Sequence, residues 1–91
     1  MFVIVSYDIV DDRRRNRLAK ALGVFGDRVQ FSVFECNLEK GEYERMLKRL
    51  KRLIDETTDS VRVYSQCRTC KSRIEIIGQG TVTEDPDIII V

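Results

Sequence analysis

Residues 2 to 9, FVIVSYDI, constrain the fold most strongly, because nearly every position is apolar or favours β structure. Such a run is typical of a strand that is covered on both faces of a sheet. Near its end stands a carboxylate, Asp8, and a basic segment follows within a few residues. A charge buried at the end of a central strand is costly unless it is paired or bound to a metal. We therefore expect the function of the chain to depend on Asp8.

Length and charge predict one small domain with a basic body. The 91 residues suit a single core, with residues 1 to about 78 forming the core and 79 to 91 an extension used in dimerisation. Residues 1 to 73 hold 16 basic and 11 acidic side chains, whereas residues 74 to 91 hold 4 acids and no base. Clustered Lys and Arg are typical of a nucleic-acid-binding surface. The first apolar run lacks a preceding basic region and no run is long enough to span a bilayer, so a cytoplasmic location is expected.

Hydrophobic periodicity predicts two helices, over about 11 to 25 and 41 to 56, with Gly26 ending the first. Strands are predicted over residues 2–9, 28–38, 61–64 and 74–77. The predicted class is α+β, a ferredoxin-like βαββαβ sandwich with a four-stranded antiparallel sheet and both helices on one face. The last apolar stretch, DIIIV at 87 to 91, is expected to pair with an exposed sheet edge, which could belong to a second subunit.

Two interpretations of Asp8 stay open from spacing alone. It could be a turn residue that accepts hydrogen bonds from backbone amides, or it could bind a hard cation such as Mg²⁺ that activates water for phosphodiester hydrolysis. Asp11 and Asp12 are better explained as helix caps. Since the chain has no histidine, any hydrolysis must proceed without the commonest general base.

Five basic residues follow the acids within eight positions: Arg13, Arg14, Arg15, Arg17 and Lys20. They could form a phosphate-binding surface or an ordinary solvated helix face. A second basic group, at 45 to 52, fits the polar side of an amphipathic helix.

Cysteine content predicts no disulfide framework, because Cys36, Cys67 and Cys70 are odd in number and no export signal precedes them. A single CxxC supplies two of the four ligands of structural zinc, and a redox CxxC normally opens a helix after a strand. We expect the segment CRTCKSR to be a plain polar loop, and Cys36 to be a small apolar strand residue.

Taken together, the segments VSYDIVDDRRRNRLAKAL, RVQFSVFEC, DSVRVYSQCRTC and PDIIIV resemble, in order and spacing, the CRISPR-associated Cas2 family. The resemblance implies a ferredoxin-like homodimer in which Asp8 of each subunit lies near the two-fold axis and the pair binds one Mg²⁺. It implies catalytic roles for Asp8 and Ser32. It also implies a nucleic-acid-binding surface, for which we single out Tyr7, Arg13, Arg14, Arg15, Arg17, Arg28 and Phe34.

Two functions follow from the resemblance. One is a metal-dependent endonuclease that acts on single-stranded RNA or double-stranded DNA. The other is a non-catalytic, DNA-binding subunit that bridges dimers of the Cas1 integrase during spacer acquisition. Many members carry tyrosine where this chain has Phe31, and strand alternation predicts that this change leaves the core unaffected. A third interpretation, a regulatory module that binds a small ligand at its dimer interface, predicts no affinity for nucleic acid.

Overall fold

The computed structural model describes residues 1–84, which form four strands and three helices. In chain order these are β1 Phe2–Asp8, α1 Asp12–Phe25, β2 Asp27–Gln30, β3 Val33–Asn37, α2 Lys40–Leu53, β4 Ser60–Gln66 and α3 Arg68–Ser72. The strands form one antiparallel sheet in the order β2-β3-β1-β4. The first strand is therefore central, as its apolar sequence predicts.

The core lies between one face of the sheet and the two long helices. Alternate side chains of β1, at Val3, Val5 and Tyr7, are buried in the same cluster as Leu18 of α1 and Met46 of α2. Because side chains alternate along a strand, this places both α1 and α2 on one face of the sheet. The predicted four-stranded α+β fold is confirmed, and so are the positions of both long helices to within three residues.

The predicted strand at 28–38 is wrong as one element, because a tight turn at Phe31 and Ser32 divides it into β2 and β3. The two strands form a hairpin in which Arg28 pairs with Phe34 and the register shifts between Arg28 and Gln30. The turn contains no glycine or proline and no residue with positive φ, so the usual sequence signals of a hairpin are missing. The side chain of Phe31 is 79% exposed in consequence.

Two further predictions fail near the end of the described chain. Residues 74–77 form no strand, and the segment CRTCKSR contains the short helix α3 instead of a plain loop. The chain after α3 returns to the sheet: the Thr83 amide donates to Glu35 Oε1 at 3.0 Å, and Asn37 Nδ2 donates to the Thr83 carbonyl at 3.1 Å. The strand predicted at 87 to 91 lies outside the described residues. None of the helices found in residues 1–84 is long and apolar enough to cross a membrane.

Gly26 ends α1 at a point where there is no space for a side chain. Its N–H donates to the Leu22 carbonyl at 3.0 Å, and a Cβ added to it would lie 2.3 Å from the Glu35 carbonyl oxygen and 2.5 Å from Cys36 Sγ. Its φ of −168° is extended, so the need for glycine comes from close approach to β3 and not from backbone conformation.

We predict that Gly26→Ala lowers the free energy of unfolding by more than about 2 kcal/mol, because β3 must move to admit the methyl group. Gly23→Ala is the matched control, since it lies in α1 with nothing within 4 Å of an added Cβ. That substitution should stabilise the chain by about 0.5–1 kcal/mol. Urea denaturation of both variants measures the difference, and equal stabilities would contradict the close packing of Gly26 on β3.

Candidate metal and nucleic-acid site

Asp8 is the last residue of β1 and is exposed, although the strand that carries it is buried. Its backbone pairs with Ser60 of β4. Among residues 1–84 the carboxylate takes part in no hydrogen bond or ion pair. The structure thus gives no support to Asp8 as a turn residue that binds backbone amides, and it leaves both carboxylate oxygens open to a ligand.

The two neighbouring acids are already engaged. Asp11 is the N-cap of α1 and accepts a hydrogen bond from the Arg14 amide at 2.9 Å, which confirms its predicted capping role. Asp12 begins the helix and pairs with Arg15. Within residues 1–84, no group of three or more His, Cys, Asp or Glu side chains converges to hold a metal ion. Within the described residues, Asp8 is therefore not part of a ligand cluster that one chain could use alone to enclose a metal ion.

A second carboxylate, Asp59, organises the backbone next to Asp8. Its side chain is fully buried and receives the Arg14 guanidinium at 2.9 and 3.3 Å. It also accepts the amides of Val10 at 3.3 Å and Asp55 at 2.9 Å. Because one carboxylate joins the loop after β1 to the loop before β4, it fixes the path of the chain that leaves Asp8.

The basic residues at the start of α1 fall into two groups. Arg14 binds Asp59, and Arg15 donates from Nη1 to the Ile9 carbonyl at 3.2 Å while pairing with Asp12. These two guanidinium groups hold the loop between β1 and α1. The others are exposed and form no ion pair with any residue in 1–84, and their spacing places them along one side of α1: Arg13, Arg17 and Lys20.

Arg28 lies over two aromatic rings at the turn between β2 and β3. Its guanidinium carbon is 5.7 Å from the ring centroids of both Phe31 and Phe34. Arg28 Nε donates to the Phe31 carbonyl at 3.0 Å, and Nη2 donates to the Tyr7 hydroxyl at 3.2 Å. Arg28 is exposed, but its guanidinium is fixed by the hydroxyl of the buried Tyr7. It therefore places an ordered cation near the end of β1.

Burial changes the roles expected of Tyr7 and Phe34. Both rings are at least 95% buried and lie 6.3 Å apart, so in the described chain they support Arg28 rather than meet a ligand. Ser32 is half-buried, and its carbonyl accepts the Tyr7 amide at 3.1 Å. This bond brings the Ser32 turn beside the residue that precedes Asp8.

Comparisons with known proteins show the family of this chain. The family described as "CRISPR associated protein Cas2" matches residues 1–74. The chain belongs to the Cas2 family. It is 47% identical, over the full length of both chains, to a protein from Chloroflexus aurantiacus named CRISPR-associated endoribonuclease Cas2 1.

Solved structures of Cas2 proteins share the fold. The chain resembles Cas2 from Streptococcus pyogenes with a TM-score of 0.76 and 37% identity, covering 86% of this chain and 100% of that one. It also resembles a chain of a partial Cas6-RT-Cas1–Cas2 complex with a TM-score of 0.76 and 22% identity, covering 99% of this chain and 98% of that one. At that identity the second likeness concerns the fold alone.

Sequence reasoning about this Cas2 family member missed Asp59, the residue that orders the loop beside Asp8. Asp59 stands 45 positions after its partner Arg14, in a polar stretch, TTDS, with the composition of any surface turn. No local sequence pattern indicates that the side chain of Asp59 is buried. The arginine run was a partial indication of this ion pair, because one member of a basic cluster beside a buried strand is a candidate partner for a buried acid.

We predict that Asp59→Asn lowers the melting temperature at pH 7 by more than about 5 °C, since the amide leaves Arg14 without its charge partner. The Arg14 guanidinium, followed by the Asp55 amide, holds the pKa of Asp59 well below its usual range. A carboxyl group with a lowered folded-state pKa stabilises the fold above its unfolded value of about 3.9 and loses that effect as the pH falls further.

The difference in melting temperature between wild type and Asp59→Asn should therefore shrink as the pH is lowered from 5 toward 2. Scanning calorimetry across this range measures it. Asp12→Asn is the control, because its ion pair with Arg15 is exposed and such pairs contribute little. A difference that stays constant down to pH 2 would contradict the charge pairing of Asp59.

Proposed function

We propose that this chain is a nucleic-acid-binding endonuclease of CRISPR immunity that acts as a cytoplasmic homodimer. Its substrate would be single-stranded RNA or double-stranded DNA, and its place would be spacer acquisition beside a Cas1 integrase. The names of its relatives support nuclease activity, and membership of the Cas2 family supports the Cas1 partner. The observation that carries the proposal is the exposed carboxylate of Asp8, engaged by nothing in residues 1–84, at the end of the strand that precedes α1 and its exposed bases.

A homodimer supplies what a single chain lacks at this site. Mg²⁺ accepts one or two protein carboxylates and keeps several waters, so Asp8 of each of two subunits would suffice to hold one ion. The donor chemistry fits, because Asp8 is an exposed carboxylate without a competing cation in the described chain. When bound, Mg²⁺ polarises a phosphoryl oxygen and lowers the pKa of a bound water.

The chain's own residues would bind and orient the phosphodiester. Arg13 and Arg17, exposed on α1, would contact backbone phosphates of the nucleic acid, and Arg28 would stabilise the charge that develops on the reacting phosphate. Ser32, in the turn bonded to Tyr7, would donate a hydrogen bond to substrate or water. Arg14 and Arg15 would act indirectly, since their contacts with Asp59 and the Ile9 carbonyl hold the loop that follows Asp8.

The dimer would use the face of the sheet that α1 and α2 leave uncovered. Ile4 and Val33 point to that face and are only half-buried, and Tyr64 of the edge strand β4 is 45% exposed. A chain of this size gains much from covering such a surface. The predicted exchange of the C-terminal strand would add to the same contact.

A second candidate function is a non-catalytic DNA-binding subunit of the spacer-integration complex. The observation that favours it is that residues 1–84 contain no cluster of three or more His, Cys, Asp or Glu side chains that could hold a metal ion. In that case Asp8 would only shape the dimer. Both functions require the bases of α1, so cleavage and not binding distinguishes them.

We predict that Asp8→Asn reduces Mg²⁺-dependent cleavage of single-stranded RNA or duplex DNA on the order of 100-fold, because amide oxygens replace metal-binding carboxylates. Binding of the same oligonucleotide should change little. Glu44→Gln is the control for the loss of one exposed acid and should cleave as wild type does. Equal residual cleavage by wild type and Asp8→Asn at matched purity would exclude the endonuclease and leave the assembly function.

We predict that Arg17→Ala weakens nucleic-acid binding uniformly across sequences. The slope of log affinity against log salt should fall by about 0.9 for each duplex phosphate that the variant no longer neutralises. Lys51→Ala is the matched control, since Lys51 is an exposed base on α2, outside the basic side of α1. Fluorescence anisotropy over a salt series measures both variants, and an equal decrease of the slope in Lys51→Ala would contradict a surface centred on α1.

A further inference from the structure

The two cysteines of the CxxC lie at the junction of a strand and a helix. β4 ends at Gln66, Cys67 is the N-cap of α3, and Cys70 lies in the first turn of that helix. The Cys70 amide donates to Cys67 Sγ at 3.2 Å. This hydrogen bond holds the Cys67 sulfur against the residue that carries the second thiol.

Both thiols are free and exposed, whereas the third cysteine is not accessible. Cys36 is fully buried on β3, and burial raises the pKa of its thiol to about 11. Cys36 is therefore inert toward disulfides in solution. The chain thus has one accessible pair of thiols, and the buried thiol of Cys36 serves as an unreactive reference for comparison with them.

We propose that Cys67 and Cys70 are a redox-active dithiol that closes to an intramolecular disulfide by exchange with a low-molecular-weight disulfide. Residues three apart across a helical turn have Cα atoms within the range of about 4.4–6.8 Å that a disulfide accepts. Side-chain rotation alone then suffices to join the sulfurs. Binding of a metal by this pair within one chain is disfavoured, because residues 1–84 bring no third ligand to it.

The surroundings assign different roles to the two thiols. The hydrogen bond from the Cys70 thiol, followed by the one from the Cys70 amide, lowers the pKa of Cys67, while the same interaction raises the pKa of Cys70. Cys67 is thus the attacking thiolate and Cys70 the resolving thiol. Lys71 of the same helix is engaged with other groups: its Nζ lies 4.8 Å from the centroid of the Phe2 ring and donates to Asn37 Oδ1 at 3.3 Å.

The exchange proceeds in two balanced steps. The Cys67 thiolate attacks one sulfur of the small disulfide, forming a mixed disulfide and releasing the first small thiolate. Cys70 loses its proton and attacks the Cys67 sulfur, forming the Cys67–Cys70 bond and releasing the second small thiolate. The protein loses two electrons, the small disulfide gains them, and the protons from the cysteines end on the two small thiols.

Closing the disulfide would hold the first turn of α3 covalently. Lys71 of α3 bonds Asn37, and Asn37 bonds the Thr83 carbonyl, so α3 is linked to the segment that returns to the sheet. Two backbone hydrogen bonds of α3 would respond to this change. The Lys71 amide donates to the Cys67 carbonyl at 2.8 Å, and the Arg73 amide donates to the Cys70 carbonyl at 3.1 Å. Hydrogen exchange at these two amides should slow several-fold on oxidation.

To test the proposal, the full-length chain is reduced and then incubated in a buffer of mostly oxidised glutathione. The reaction is quenched with acid, the free thiols are alkylated, and the intact mass is measured. The wild type should lose two hydrogen atoms, keep one alkylatable thiol after denaturation, and yield a Cys67–Cys70 peptide. Cys36→Ala should form the same disulfide and keep no thiol. Cys70→Ser should accumulate a mixed disulfide with glutathione several-fold faster than Cys67→Ser does.

Three results would overturn the proposal: both thiols remaining reduced in the wild type, glutathione adducts that never resolve to the internal disulfide, or disulfides formed only between chains. Circular dichroism of each variant checks that it is folded. The readout is independent of nucleic-acid cleavage, so it stands or falls apart from the proposed function.

Discussion

The buried carboxylate of Asp59 sets the geometry at the end of the sheet where the candidate site lies. It accepts two hydrogen bonds from Arg14, one from the Val10 amide and one from the Asp55 amide. A buried charge is tolerated only when it is paired and hydrogen-bonded, and here the pairing connects the start of α1 to the loop before β4. The exposed Asp8 and the free bases of α1 therefore project from a backbone that is held from within. Arg14 belongs to this support, so the run of similar arginines divides into members that hold the loop and members that are exposed.

The sequence predicted the fold well where a segment is buried along its whole length, and poorly where contacts between distant residues determine the local structure. The apolar run of β1 and the periodicity of α1 and α2 report burial directly, so their positions were foreseeable. The turn at Phe31 and Ser32 was not, because the Ser32 carbonyl is held by the distant Tyr7 amide, and the Phe31 carbonyl by the Arg28 side chain three residues away. Alternation of apolar residues also continues through a tight hairpin without interruption, so periodicity alone does not reveal the turn.

Residues 74–77 illustrate the opposite error, in which a strand is predicted where none forms. Their sequence, IEII, has the composition of a strand, but in the described chain β1 already pairs with β3 on one side and with β4, at Ser60–Gln66, on the other. The segment instead passes near Ile4 and Val33 on the second face of the sheet, where Ile74 is half-buried while Ile76 and Ile77 stay exposed. At the site, the sequence pattern treated Asp8 as a buried charge, which is wrong because the side chain is exposed, and the partnership of Arg14 and Asp59 required the folded chain.

The proposed metal site requires that Asp8 of two subunits hold one divalent ion between them. Titration of the purified dimer with Mn²⁺, followed by electron paramagnetic resonance, measures the stoichiometry directly. We predict one tightly bound ion per two chains in the wild type and loss of that binding in Asp8→Ala, with the dimer intact by light scattering. One ion per chain, or binding that survives Asp8→Ala unchanged, would contradict the shared site.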